Sequence, residues 1–154
     1  MMWEEVLRVT IPGQPIPKGR PRFAVRGRGV KTYTDPKTKA FEKLVALCVG
    51  SSPQLRGMRR PICGNAPTPA RVDIVAVFQR PVSMMRRKDA PGLVPMGRRP
   101  DIDNVAKSVL DGIGLANNLI WDDDGQVCCL RADAYYAEKG QGPRTEIVIY
   151  REAR

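Results

Sequence analysis

Val72–Phe78 is a short run that is apolar at every position except Asp73. Its brevity and β-branched side chains suit a central strand buried on both faces. Such a strand needs partner strands and covering helices, and the rest of the chain supplies the patterns for both. Val6–Ile11 is rich in β-branched residues and stops at Pro12-Gly13, which predicts a first strand. Residues 12–34 hold Pro12, Pro15, Pro17, Pro21, Gly13, Gly19, Gly27 and Gly29 and are expected to be loop. Asp35-Pro36 reads as an N-cap with proline at the first helical position. Phe41, Leu44, Val45 and Cys48 follow at helical spacing, so a first amphipathic helix should end near Gly50.

Residues 51–70 and 80–100 again read as loops. From Ile102, apolar residues recur at Val105, Ala106, Val109, Leu110 and Ile113, a stripe of helical period. Gly112 and Gly114 weaken its C-terminal end. After Asp122-Asp123-Asp124-Gly125, a strand is predicted over Val127–Ala137, and the last over Thr145–Tyr150. The expected architecture is α+β: one domain over residues 1–154, β-α-β-α-β-β, with a mixed sheet and two helices.

Composition then narrows the chemistry. The chain has no histidine, which excludes Ser-His-Asp and Cys-His nucleophilic machinery and histidine-bound metals. Catalysis must use carboxylates, lysine, hydroxyls or a metal held by oxygen. The cysteines, Cys48, Cys63, Cys128 and Cys129, form no C-x-x-C pair and are expected to be buried reduced thiols. Cys128 and Cys129 should point to opposite faces of their strand. The net charge of +10 is uneven: residues 1–100 carry 20 Lys/Arg against 6 Asp/Glu, and residues 101–154 carry 6 against 10. A basic front part suits a polyanionic partner such as nucleic acid, though it also serves simple solubility.

Within that basic protein two acidic groups stand out, Asp101-Ile102-Asp103 at a helix start and Asp122-Asp123-Asp124 before a strand. Each has an ordinary explanation, helix capping for the first and a solvated turn for the second. If the connection at 115–121 crosses back over the helix, three or four carboxylates meet and could hold Mg²⁺ or Mn²⁺. Lys107, four residues from both Asp103 and Asp111, is either a surface ion-pair partner or a cation beside such a cluster.

These residues resemble the RusA family of Holliday-junction resolvases over nearly the whole chain. The similar segments are Ile11–Arg22, Pro100–Asp111, Trp121–Val127 and Pro143–Glu146. The resemblance implies a homodimeric, Mg²⁺-dependent nuclease acting on four-way DNA junctions, with Mn²⁺ as a possible substitute. By position, Asp101, Asp103 and Asp124 match the essential carboxylates, Asp123 an acidic neighbour, and Lys107 the catalytic lysine. The additional Asp122 leaves open which of the three turn aspartates holds metal. Lys18, Arg20, Arg22, Arg26, Arg28, Arg86, Arg87, Lys88, Arg98 and Arg99 are expected to grip the DNA backbone. Two other readings stay open: a non-catalytic junction-binding protein, and a metal-dependent phosphohydrolase of small esters. The start of the chain has no secretory signal pattern and no stretch suits a membrane span, so a cytoplasmic protein is expected.

Overall fold

A computed structural model describes residues 2–116 and 118–153. Strands are β1 (Trp3–Pro12), β2 (Arg22–Arg26), β3 (Gly29–Tyr33), β4 (Ala70–Phe78), β5 (Val94–Pro95), β6 (Val127–Tyr136) and β7 (Arg144–Glu152). Helix α1 spans Pro36–Gly50 and α2 spans Ile102–Gly114. A mixed five-stranded sheet has the order β1-β7-β4-β6-β5, and β2 pairs with β3 in a separate hairpin. The neighbours β4 and β6 are parallel, so a crossover must join them, and α2 lies in that crossover. The α+β class and the β-α-β-α-β-β succession stand, with the hairpin and the short β5 added to them.

Local chemistry explains the helix limits. The Asp35 carboxylate accepts from the Lys37 backbone N–H at 2.9 Å, and Pro36 opens α1 where its missing N–H costs nothing. Both helices lie on one side of the sheet. Phe41, Val45 and Val49 of α1 and Ala106, Val109 and Ile113 of α2 join Leu7, Val72, Ile74 and Ile147 in one buried cluster. Gly112, expected only to weaken its helix, marks the crossing: a Cβ there would lie 2.7 Å from Val45 Cβ and 2.9 Å from the Glu42 carbonyl oxygen. The two backbones approach as closely as they do because position 112 has no side chain.

The second face of β4 meets expectation at Val77, which is fully buried, and differs from it nearer the start of the strand. Val72, Ile74 and Ala76 are buried beneath the helices, whereas Arg71, Asp73 and Val75 are only half-buried. With both helices on one side, the other face is finished by ion pairs, Arg71–Asp73 at 2.7 Å and Arg131–Asp133 at 3.3 Å. Arg71 also stacks over the Tyr150 ring, 5.0 Å from its centre.

The cysteines divide. Cys63 is buried, and burial pushes its thiol up to about 12. Cys128 and Cys129 are exposed, and their Sγ atoms lie 3.9 Å apart. This corrects both expectations for the pair. The β4–β6 register slips between Ala70 and Arg71, which oppose Val127 and Cys129. The extra residue is a bulge, where strict alternation fails, and it turns both thiols the same way. Among the described residues no helix is long and apolar enough to cross a membrane.

Candidate active site

Helix α2 supplies most of the site. Its apolar stripe faces the sheet, with Val105, Val109 and Ile113 essentially inaccessible to solvent, so the intervening Asp103, Lys107 and Asp111 are turned outward. Asp101 occupies the N-cap position, yet its side chain makes no capping hydrogen bond. Its routine explanation as a cap is therefore not the one the geometry supports, and its carboxylate remains exposed. The i,i+4 ion pairs open to Lys107 do not form either. Asp111 instead accepts from Lys18 at 2.9 Å, and among the described residues Lys107 has no salt-bridge partner.

The acidic turn reaches α2 farther along than expected. Asp124 borders a recess of about 220 Å³ with Lys107, Leu110, Asp111, Trp121 and Val127. Its Oδ1 also lies 3.8 Å from where a Cβ on Gly114 would be. The connection goes only part of the way back because it is held down midway. Ile62 and Cys63 donate backbone hydrogen bonds to the carbonyls of Leu119 and Ile120 at 2.8 and 3.0 Å. Trp121 is then buried, and its Nε1–H donates to Asp124 Oδ1 at 2.9 Å. At about 1.5 Å rise per residue, Asp103 is roughly 6 Å along the helix from Lys107 and Asp101 about 9 Å. Among the described residues no three carboxylate or thiolate side chains stand close enough to hold a metal together. The turn thus brings Asp124 to Lys107 and Asp111, one turn along α2 from the Asp101–Asp103 pair.

The three turn aspartates have separate surroundings. Asp122 Oδ2 accepts from the Asn65 side chain at 2.9 Å and from the Ala66 N–H at 3.1 Å. Asp123 is the N-cap of the turn Asp124–Gln126 and borders a different recess, with Ala66, Pro67 and Pro69. Gln126 Oε1 accepts from the backbone N–H groups of Asp122 and Asp123 at 2.8 and 3.1 Å, which fixes the turn. Of the three, Asp124 is the one that borders the recess with Lys107 and Asp111, while Asp122 and Asp124 both line a smaller recess with Ile113 and Gly114 at the end of α2. Asp123, expected as a ligand, is not among the residues that line the recess with Lys107 and Asp111.

The expected DNA-binding residues separate in the same way. Arg20, Arg22, Arg26, Arg28, Arg86, Arg87, Lys88, Arg98 and Arg99 are exposed. Arg22 and Arg86 are engaged with Asp35 and Asp89 at 2.8 and 3.2 Å, surface pairs that phosphate can displace. Lys18 does not belong with them. Its ammonium lies between Glu42 of α1 and Asp111 of α2, at 2.6 and 2.9 Å. Burial acts to lower the Lys18 pKa, but the hydrogen bonds its ammonium donates to the two carboxylates, with their charge, outweigh it and raise the value. Two facing carboxylates would repel each other, so Lys18 ties the helices together and is not free to meet phosphate.

Sequence reasoning missed four contributors: Glu42, Trp121, Gln126 and Arg80. The spacing Asp123-x-x-Gln126 was a visible capping signal, and Trp121 opens the segment Trp121–Val127 that carries the family resemblance, although its hydrogen bond to Asp124 had no local sign. Buried Arg80 donates to the carbonyls of Ala137, Met84, Ala90 and Gly92, and so organises the loop that presents Arg86–Lys88. A recess of about 550 Å³ between Glu4, Asn65, Arg151 and Glu152 contains none of the α2 groups. The open face of α2 is the better candidate for a polymer too large to enter a closed pocket.

The donor types suit a hard divalent cation, since Asp101, Asp103, Asp111 and Asp124 are exposed carboxylates and no nitrogen ligand competes. Asp101, Asp103 and Asp111 stand along α2 and Asp124 on the turn that meets it, so the fit to such a cation is one of donor chemistry.

Two comparisons complete the picture. The chain is similar to the uncharacterized protein YqaN of Bacillus subtilis (strain 168), with 30% identity over 148 residues covering 94% of this chain and 96% of the relative. The family described as endodeoxyribonuclease RusA matches residues 12–150, which takes in both helices, the acidic turn and the hairpin. With that match spanning the whole α2 face and the turn that meets it, the chain belongs to the RusA family of Holliday-junction resolvases.

Proposed function

We propose that this protein is a Mg²⁺-dependent endonuclease that cleaves four-way DNA junctions, working as a homodimer. The supporting observation is the meeting of Asp124 with Lys107 and Asp111 in one recess, formed by segments that are separate in sequence. Asp101, Asp103 and Asp124 are the residues that would hold the cation. When bound, it supplies Lewis-acid chemistry, lowering the pKa of water and neutralising charge on the phosphate.

The chain's own groups do the rest. Trp121 fixes one oxygen of Asp124 and so leaves the other directed by the turn's geometry. The Lys107 ammonium, unpaired among the described residues, stabilises negative charge that grows on the phosphate oxygens. Water adds to phosphorus and the P–O3′ bond breaks, leaving a 3′-hydroxyl and a 5′-phosphate. The exposed arginines neutralise neighbouring phosphates, so affinity should fall steeply with salt. A junction is roughly two-fold symmetric, and a C₂ dimer places one site at each of two opposed strands.

A labelled four-way junction, a linear duplex and a chromogenic phosphate ester, each with Mg²⁺ or EDTA, test this proposal together. Paired nicks in the junction, stopped by EDTA and restored by added Mg²⁺, are expected. Junction binding without cleavage would favour a capping protein, and hydrolysis of the ester alone would favour a phosphohydrolase. Either result would overturn the proposal.

A further inference from the structure

The β2–β3 hairpin was expected to be loop, and its two faces differ sharply. Its register pairs Phe23 with Thr32 and Val25 with Val30, and on the other face Arg22 with Tyr33 and Ala24 with Lys31. Directly opposed residues share a face. One face is therefore Phe23, Val25, Val30 and Thr32, and the other carries Arg22, Arg26 and Lys31. Gly27 opens the two-residue turn with φ +61, a conformation that favours glycine in tight hairpins.

The apolar face covers nothing in the protein. Phe23 is 71% exposed, Val25 78% and Val30 66%, in a sheet separate from the main one. The hairpin's root, in contrast, is clamped to the helix that carries the site. Lys18 N–H donates to the Asn104 carbonyl at 2.8 Å, and the Ser108 hydroxyl donates to the Ile16 carbonyl. Asn104 and Ser108 flank Lys107 on α2. The segment that leads into the hairpin is thus anchored to the helix that carries the proposed reacting centre.

We infer that this hairpin is a wedge for exposed base faces, inserting Phe23 and Val25 at the branch point while its arginines hold the flanking phosphates. The inference rests on the junction-nuclease reading and deepens it by assigning the element that distinguishes branched from linear DNA. Charge selects the occupant. Residues 6–34 contain no acidic side chain but include Arg8, Lys18, Arg20, Arg22, Arg26, Arg28 and Lys31. Two copies of so basic a hairpin repel each other, which opposes burial of the apolar face against a second chain. Duplex DNA offers phosphates but keeps its base faces stacked. At a branch point base faces become available, and aromatic stacking on them adds affinity that phosphate contacts cannot supply.

The test uses a four-way junction with 2-aminopurine at the branch, bound without divalent cation so that no cleavage occurs. The native protein should raise the fluorescence as the base unstacks. Phe23→Ser/Val25→Ser should lose that rise and lower junction affinity about tenfold, with a smaller change for linear duplex. Phe23→Trp, which keeps an aromatic face, should retain the junction affinity. Because the hairpin stands apart from the buried cluster, the double variant should melt at the native temperature, which separates lost stacking from lost folding. A full fluorescence rise and unchanged junction preference in the double variant would overturn the wedge while leaving the nuclease reading intact. A change of oligomeric state with normal fluorescence would also overturn it and assign the face to a second copy. Native protein that neither prefers nor cuts junctions would defeat the nuclease reading itself, and the wedge with it.

Discussion

Asp124→Asn is expected to slow junction cleavage by about 10³-fold or more, with junction binding retained or tightened. The substitution is nearly isosteric. An asparagine oxygen can still accept from Trp121 Nε1, so the turn and its position against α2 should survive. What disappears is the negative charge, and with it the ability to share a cation with the helix start. The same loss removes a group that repels phosphate, hence the retained or stronger binding. Asp103→Asn should behave alike. Single-turnover cleavage and gel-shift binding of the same labelled junction read the two effects separately. Native cleavage rates in Asp124→Asn would remove that residue from the chemistry.

Lys107→Ala is expected to lose about 10²–10³ in turnover and almost nothing in stability. Two readings of this lysine make different predictions. As an i,i+4 surface pair it would contribute only about 0.3–0.5 kcal/mol to folding and nothing to rate. In the structure Asp111, the partner such a pair would use, is held by Lys18, and Lys107 borders the recess with Asp124. Rate measured at saturating junction, alongside a thermal melt, decides between them. An unchanged rate would return Lys107 to the solvated surface.

The legible parts of this protein were those whose cause is local. Asp35-Pro36 fixed the start of α1, the stripe from Ile102 to Ile113 fixed α2, and Val72–Phe78 was correctly central in the sheet. The errors arose where distant segments meet. The β2–β3 hairpin was hidden by the prolines around it, although Arg22–Arg26 and Gly29–Tyr33 alternate on either side of a two-residue turn that begins with glycine. The bulge beside Cys128 depends on how β6 registers with Ala70, which no local pattern records. Lys18 looked like one more cation of a basic segment because Glu42 and Asp111, which hold it, lie 24 and 93 positions away.

The site shows the same division. Residue types pointed to oxygen-ligand chemistry, and the family match covers the segments concerned. The placement of the acidic turn was not legible, because it follows from Trp121 being buried and from the Leu119 and Ile120 carbonyls being held by residues 62 and 63. Asp122 is held by Asn65 and Ala66, and Asp123 lines a recess with Ala66, Pro67 and Pro69.

Whether the helix start and the turn serve one divalent cation is best tested by exchanging the ligand's chemical character. Asp103→Cys and Asp124→Cys should each be inactive on a four-way junction in Mg²⁺, because a thiolate is a poor partner for that hard ion. Each should recover cleavage when thiophilic Cd²⁺ is supplied, while alanine at either position should not. Cysteine variants that cut normally in Mg²⁺, or that no soft cation revives, would show that these carboxylates do not bind the metal that drives the reaction.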